Sequence, residues 1–271
     1  MRVNMNIDTK PELGLWLPKG KNIYPTMIKL LVDRGIDMGE ERKNGSLHGT
    51  FQNYSGKWTQ ADSKNIIPEI ARGLTPAGFV GSDFYADYMA SLKPGESPAV
   101  VELLRFQLFK KGMKVCVVGR QGEDYHSPAD FRDRRFIGRY ESLMRKFLRP
   151  FFAEDKEMPV EIDTSIGGGE EGFVKGHHAD YAMVIVSTGD SLRRNGLIEL
   201  ATVEEHIQPV FVANLQAIQE MGFIPSLDEM VDRLQNGRRG SRKWSDLPTT
   251  ISKGVSSIVT TVLSIPFSKI E

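Results

Sequence analysis

Apolar and polar positions along the chain alternate between short buried runs and stretches of helical period. Leu13-Gly14-Leu15-Trp16-Leu17 is an apolar run broken by Pro18-Lys19-Gly20-Lys21. After it, Tyr24, Met27, Ile28, Leu30 and Leu31 recur at helical intervals and predict a helix ending near Gly35. A strand, a turn and a helix open an α/β unit. The same reading gives strands at residues 77–80, 113–118, 160–162 and 180–186, and an apolar, β-branched stretch at 209–213. Helices are expected at 66–71, 215–221 and 227–234. Residues 136–152 also have helical spacing, with Tyr140, Leu143, Phe147 and Leu148 on one side and arginines on the other. On such a helix Arg135 and Arg139 would share a face as an i,i+4 pair. Residues 37–63 are polar and irregular, with a hairpin around His48 to Tyr54.

Composition narrows the class. Among 271 residues, 40% are hydrophobic and 26% charged, which is ordinary for a chain that buries a core. Lys+Arg and Asp+Glu are both 35, so no global basic field draws nucleic acid. The short basic stretch holding Arg238, Arg239, Arg242 and Lys243 reads as a solvated linker, and no nucleic-acid partner is expected. Cys116 is the single cysteine and sits in an apolar run, so an intrachain disulfide and a multi-cysteine metal site are both excluded. His177 and His178 are adjacent and cannot chelate as a pair, so no protein-held metal is expected. No leader-like or membrane-spanning apolar segment is apparent, which makes a cytoplasmic location the expectation.

The main chemical signal is Val184-Ile185-Val186-Ser187-Thr188-Gly189-Asp190-Ser191-Leu192. A buried strand delivers the chain to a turn of small hydroxyl residues. Gly189 lets the backbone take positive φ or approach a ligand closely. Unpaired backbone N–H groups and the hydroxyls of Ser187, Thr188 and Ser191 are the donors a phosphate monoester needs. The tripeptide Ser-Thr-Gly alone would serve equally as an ordinary helix cap, and Asp190 suits an anion only if its carboxylate turns away.

The wider pattern resembles the catalytic chain of ATP phosphoribosyltransferase, the first enzyme of histidine biosynthesis. Residues 179–197, Ala-Asp-Tyr-Ala-Met-Val-Ile-Val-Ser-Thr-Gly-Asp-Ser-Leu-Arg-Arg-Asn-Gly-Leu, are similar to that family's phosphoribosyl-diphosphate segment. Leu17-Pro18-Lys19-Gly20-Lys21 resembles its N-terminal Leu-Pro-Lys-Gly-Arg turn, and residues 77–83 resemble its Gly-Ile-Thr-Gly-x-Asp turn. Arg135, Tyr140, Arg145 and Phe147 keep the spacing of its Arg-Ile-Ala-Thr-x-Tyr segment, and Gly168 and Glu171 fall on its Gly-Ser-x-Glu. These matches run in family order over most of residues 13–215. Two departures stand out: Val184 replaces the family's acid beside the ribose, and Gly138-Arg139-Tyr140-Glu141-Ser142 replaces Thr-x-Tyr-Pro-Asn.

The resemblance implies two α/β domains of the type II periplasmic-binding-protein kind with a ligand cleft between them. The expected division is residues 11–112 with 200–245 as a discontinuous first domain, 113–199 as the second, and 246–271 as a C-terminal tail. The implied reaction joins N1 of ATP to phosphoribosyl diphosphate and releases diphosphate. Ser187, Thr188, Gly189 and Ser191 would hold the phosphoribosyl phosphate, and Lys19 and Glu171 would serve catalysis. Lys21, Asp83, Arg135, Tyr140 and Arg145 would contact nucleotide or diphosphate, with Mg²⁺ bound to the substrates. The short form of the family further implies a homo-oligomer and a separate regulatory chain related to histidyl-tRNA synthetase. The two departures keep alternatives open: a non-catalytic ligand sensor of the same fold, or a phosphoribosyltransferase for another base.

Overall fold

The computed structural model describes residues 12–237, apart from 20–22, 40–44, 110–111, 124 and 166–167. Lys21, the basic stretch from 238 and the C-terminal tail therefore lie outside the described residues. Two mixed sheets form two α/β lobes. In the first, β1 (Leu13–Pro18) lies between β3 (Gly56–Ala61) and β4 (Ala77–Gly81), parallel to both. On one side, β2 (His48–Thr50) pairs antiparallel with β3, which is where the sequence suggested a hairpin. On the other, β11 (Pro209–Ala213) and β5 (Val101–Arg105) complete the sheet antiparallel. Helices α1 (Ile23–Asp33), α2 (Ser63–Ala71) and α3 (Ser82–Ser91) follow β1, β3 and β4. Two helices close the described chain, α7 (Leu215–Glu220) and α8 (Ile224–Asn236).

The second sheet has the order β10 (Leu197–Ile207), β6 (Met113–Arg120), β9 (Tyr181–Val186), β7 (Arg134–Gly138), β8 (Val160–Asp163). Its helices are α4 (Glu141–Leu148), α5 (Glu170–Lys175) and α6 (Asp190–Asn195). Strand period places successive side chains on opposite faces. Tyr181 and Met183 of β9 join Phe131, Phe136 and Leu143 in one core, whereas Ala182, Val184 and Val186 join Cys116, Ile137 and Leu192 in another. Phe131 meets Phe136 and Tyr181 at centroid distances of 5.1 and 4.9 Å in near-perpendicular geometry, each pair adding about 1 kcal/mol beyond area burial.

Two expectations are corrected here. The stretch expected as one helix from 136 is strand β7 up to Gly138, then α4, then a 3-10 turn at Arg149–Phe152. Phe136, Ile137 and Gly138 are all buried, so a central strand apolar on both faces had mimicked a helix. The return to the first lobe, expected at residue 200, comes later, because β10 stays in the second sheet through Ile207. The crossing is then a single residue, Gln208. This residue is buried. Its side-chain carbonyl accepts from the amides of Leu108 (2.9 Å) and Phe109 (3.1 Å), and its amide donates to the Phe109 carbonyl (3.1 Å). Its backbone exchanges bonds with Ser82 at the start of α3. One residue thus ties together the outward connection, the return connection and a helix.

Candidate functional site

Strand β9 ends at Val186 and the chain turns through Ser187, Thr188 and Gly189 into α6. Gly189 has φ 73° and ψ 3°, the left-handed conformation that a side chain would strain. Gly196, also left-handed, ends α6 after a single turn and a half. The turn opens onto a pocket of about 280 Å³ lined by Ser187, Thr188, Gly189, Ser191, Glu171 and Arg194, among others. Ser187, Thr188 and Ser191 are exposed there.

Asp190 does not point its charge freely at this pocket. Its carboxylate pairs with Arg193 and accepts the Thr188 hydroxyl at 2.7 Å. These bonds hold its carboxyl below the usual carboxylate range, the Thr188 contact contributing most. The Thr188 hydroxyl proton is spent on that bond, so the turn's remaining donors are the Ser187 hydroxyl and backbone amides. The Ser191 hydroxyl donates to Glu171 Oε1 at 3.2 Å, which joins α6 to α5.

A second pocket, of about 190 Å³, adjoins the first and shares Glu171 and Ile185 with it. Arg139, Tyr140, Glu170, Met183 and Val184 complete its lining. Glu170, whose side chain is 7% exposed, accepts from Arg139 Nε at 3.0 Å. A buried carboxylate needs such a partner. Val184, where an acid was the family expectation, packs with Ile137, Val174 and Leu192, so the pocket's charge comes from α5 and the β7–α4 turn instead.

Tyr140 is buried and donates its hydroxyl to Asp83 Oδ2 at 2.6 Å. Asp83 belongs to the first lobe, so this bond crosses between lobes. Burial pushes the Asp83 carboxyl upward, against the Tyr140 hydroxyl, nearby amides of Asp83 and Phe84, and Arg139. Burial and the Asp83 charge push the Tyr140 phenol well above its ordinary range.

The sequence-predicted residues thus separate into groups. Ser187, Thr188, Gly189, Ser191, Glu171 and Tyr140 converge on the two pockets, with Asp83 behind Tyr140. Lys19 is exposed just beyond β1, its amide bonded to the Ala61 carbonyl. Arg135 and Arg145 line neither pocket. Arg135 is in β7, with Nη2 on Asp163 at 2.7 Å and Nε 3.2 Å from Glu161. Arg145 is exposed on α4 and pairs with Glu141. Arg135 and Arg139 do not share a helix face, because Arg139 follows the strand. Glu170 and Arg194 were not singled out from the sequence. Arg193 is identical in type to Arg194, and only the backbone path decides that Arg194 lines the pocket; Glu170 and Glu171 both line the smaller one.

Comparison with known proteins gives the family. The family model HisG, ATP phosphoribosyltransferase, matches residues 62–236. An ATP phosphoribosyltransferase of Nostoc sp. (strain PCC 7120 / SAG 25.82 / UTEX 2576) is 26% identical over 228 residues, covering 83% of this chain and 97% of the relative. One from Nostoc punctiforme is 27% identical over 196 residues, covering 71% and 84%. Among solved structures, the ATP phosphoribosyl transferase (HisG:HisZ) complex from Thermotoga maritima superposes with a TM-score of 0.59 at 16% identity, over 81% of this chain and 98% of that one. With the family match running from α2 to the end of α8, through both lobes and both pockets, this chain belongs to the ATP phosphoribosyltransferase family.

Proposed function

We propose that the chain is a pentosyltransferase that joins N1 of ATP to the anomeric carbon of phosphoribosyl diphosphate, opening histidine biosynthesis. The observation that carries this reading is the pair of adjoining pockets, one at a hydroxyl-rich left-handed turn and one bordered by carboxylates. The 5-phosphate would sit at Ser187, Gly189 and Ser191, accepting backbone and hydroxyl donors, with Arg194 supplying positive charge. The ribose would occupy the adjoining pocket, where Glu171 borders both spaces and can accept from sugar hydroxyls.

In the reaction the adenine N1 lone pair forms a bond to C1 of the ribose as the C1–oxygen bond to diphosphate breaks. The transition state has oxocarbenium character, as in glycoside chemistry. The protein's work is to align the two substrates and to stabilise the leaving diphosphate. Lys19, exposed at the end of β1, is the candidate for that charge. Mg²⁺ would arrive on the substrate phosphates, which with water satisfy its preference for oxygen. Glu171, an oxygen donor at the edge of both pockets, fits a role toward its bound water.

The Thermotoga maritima relative is a complex of HisG with HisZ. By analogy, a separate regulatory chain would partner this one in a homo-oligomer, in the cytoplasm. One observation favours a different base or a sensor role: the second pocket is bordered by the Arg139–Glu170 pair and apolar Val184. The test is titration with phosphoribosyl diphosphate and Mg²⁺, followed by ATP, while diphosphate release is recorded. Binding with release supports the transferase. Binding without release, with and without a regulatory chain, turns the reading to a sensor or another base. No binding refutes it.

A further inference from the structure

Helix α4 lacks a cap of its own. Its N-cap position is Tyr140, whose side chain makes no capping bond. The first turn of a helix leaves amides without intrahelical partners. Here the missing acceptor comes from the other lobe. Asp87 Oδ1, on α3, accepts the Leu143 amide at 2.7 Å, and the Ser142 amide also acts on the same carboxylate. One turn earlier on α3, at i and i+4, Asp83 accepts the Tyr140 hydroxyl. Phe84 packs on the Tyr140 ring at 5.2 Å between centroids. Two carboxylates on one face of a first-lobe helix therefore grip the start of a second-lobe helix.

The grip is built at a cost. Asp83 Oδ1 is buried without a hydrogen-bond partner. Gly81 is needed there, since a Cβ at that position would collide with the same oxygen. Burying carboxylates opposes stability unless they are fully paired, so stability alone does not explain the arrangement. Its other end does. Tyr140 forms a wall of the smaller pocket, and α3 begins at Ser82, which Gln208 ties to both connections between the lobes.

We propose that Asp83 and Asp87 are positioning residues that fix α4 and the Tyr140 wall of the ligand site from across the lobe boundary. The link to ligand rests on the site reading above; the cross-lobe cap itself does not. The experiment uses the full chain as wild type, Asp87→Ala and Asp87→Asn, each checked for folding by circular dichroism. Amide hydrogen exchange reads the cap directly, and titration with phosphoribosyl diphosphate and Mg²⁺ reads the site. Asp87→Ala should speed exchange in the first turn of α4 by roughly tenfold or more, as an unsatisfied buried donor implies, with β6 and β9 unchanged. It should weaken ligand binding by about tenfold, whereas Asp87→Asn, which keeps an acceptor oxygen, restores both. Unchanged exchange in folded Asp87→Ala overturns the cap. Faster exchange with unchanged affinity overturns the positioning role. If wild type itself fails to bind, the site reading and the positioning role fall together, and exchange still decides the cap.

Discussion

Replacing Asp87 by Asn should stabilise the protein at neutral pH. Burial raises the Asp87 carboxyl from 3.8 to about 6, with Glu141 and Asp83 adding to the shift and the Leu143 and Ser142 amides opposing it. The sign follows from proton binding. Between pH 4 and 6 the folded protein holds a proton at Asp87 that the unfolded chain has lost. Stability from this group is therefore full below about pH 4 and declines as pH rises through about 6. At pH 7 the ionised form costs the fold at most roughly 3 kcal/mol relative to the neutral one, and about 1–2 kcal/mol once partial solvent access is allowed for. Asn is neutral throughout and keeps an oxygen for the Leu143 amide. Urea unfolding of wild type and Asp87→Asn, followed by far-ultraviolet circular dichroism from pH 4 to 8, should show the variant ahead by about 1–2 kcal/mol at pH 7 and level near pH 4. A variant less stable at pH 7, or a difference flat with pH, would refute the reasoning.

Other outcomes are equally specific. Gly189→Val puts a β-branched residue at φ 73°; the local strain of at least about 1–2 kcal/mol should deform the turn and abolish phosphoribosyl-diphosphate binding in calorimetry while the fold persists. Equal affinity in the folded variant would sink the phosphate assignment. Glu170→Ala removes the acceptor of Arg139 Nε beside the smaller pocket and should lower stability in thermal unfolding by about 1–3 kcal/mol. Cys116 is buried, and its thiol is pushed up to about 11, chiefly by that burial. Iodoacetamide at pH 8 should label it only in denaturant; rapid labelling of native protein would contradict the packing of β6 against β9 and β10.

The parts legible in the sequence were those whose pattern is local. Strand β9 and its turn could be read because an apolar run ends abruptly in small residues and a glycine. Strand β10 could not. Its pairing with β6 carries three register shifts, and each shift slips the alternation that marks a half-buried strand. Strand β7 carried the opposite ambiguity, apolar on both faces and flanked by arginines. Helix α3 was hidden because its fully buried members are Ser82 and Asp83 rather than an apolar stripe. Asp83 and Tyr140 were each named as site residues by family resemblance, but the bond between them spans 57 positions. No periodicity reports such a contact. The same holds for Arg194 against Arg193, where the path of α6 decides which of two like residues lines the pocket.

Gln208 gives the molecule an architectural consequence. The second lobe leaves and rejoins the first through two connections that lie side by side and are joined by one amide side chain. The lobe is thus an insert whose two ends share an anchor, like a pendant on a single ring. Sliding of one lobe past the other would break its bonds to Leu108, Phe109 and Ser82 together, whereas rotation about it would leave them in place. The cross-lobe bonds from α3, whose first residue is bonded to the same ring, add a second fixed point away from it.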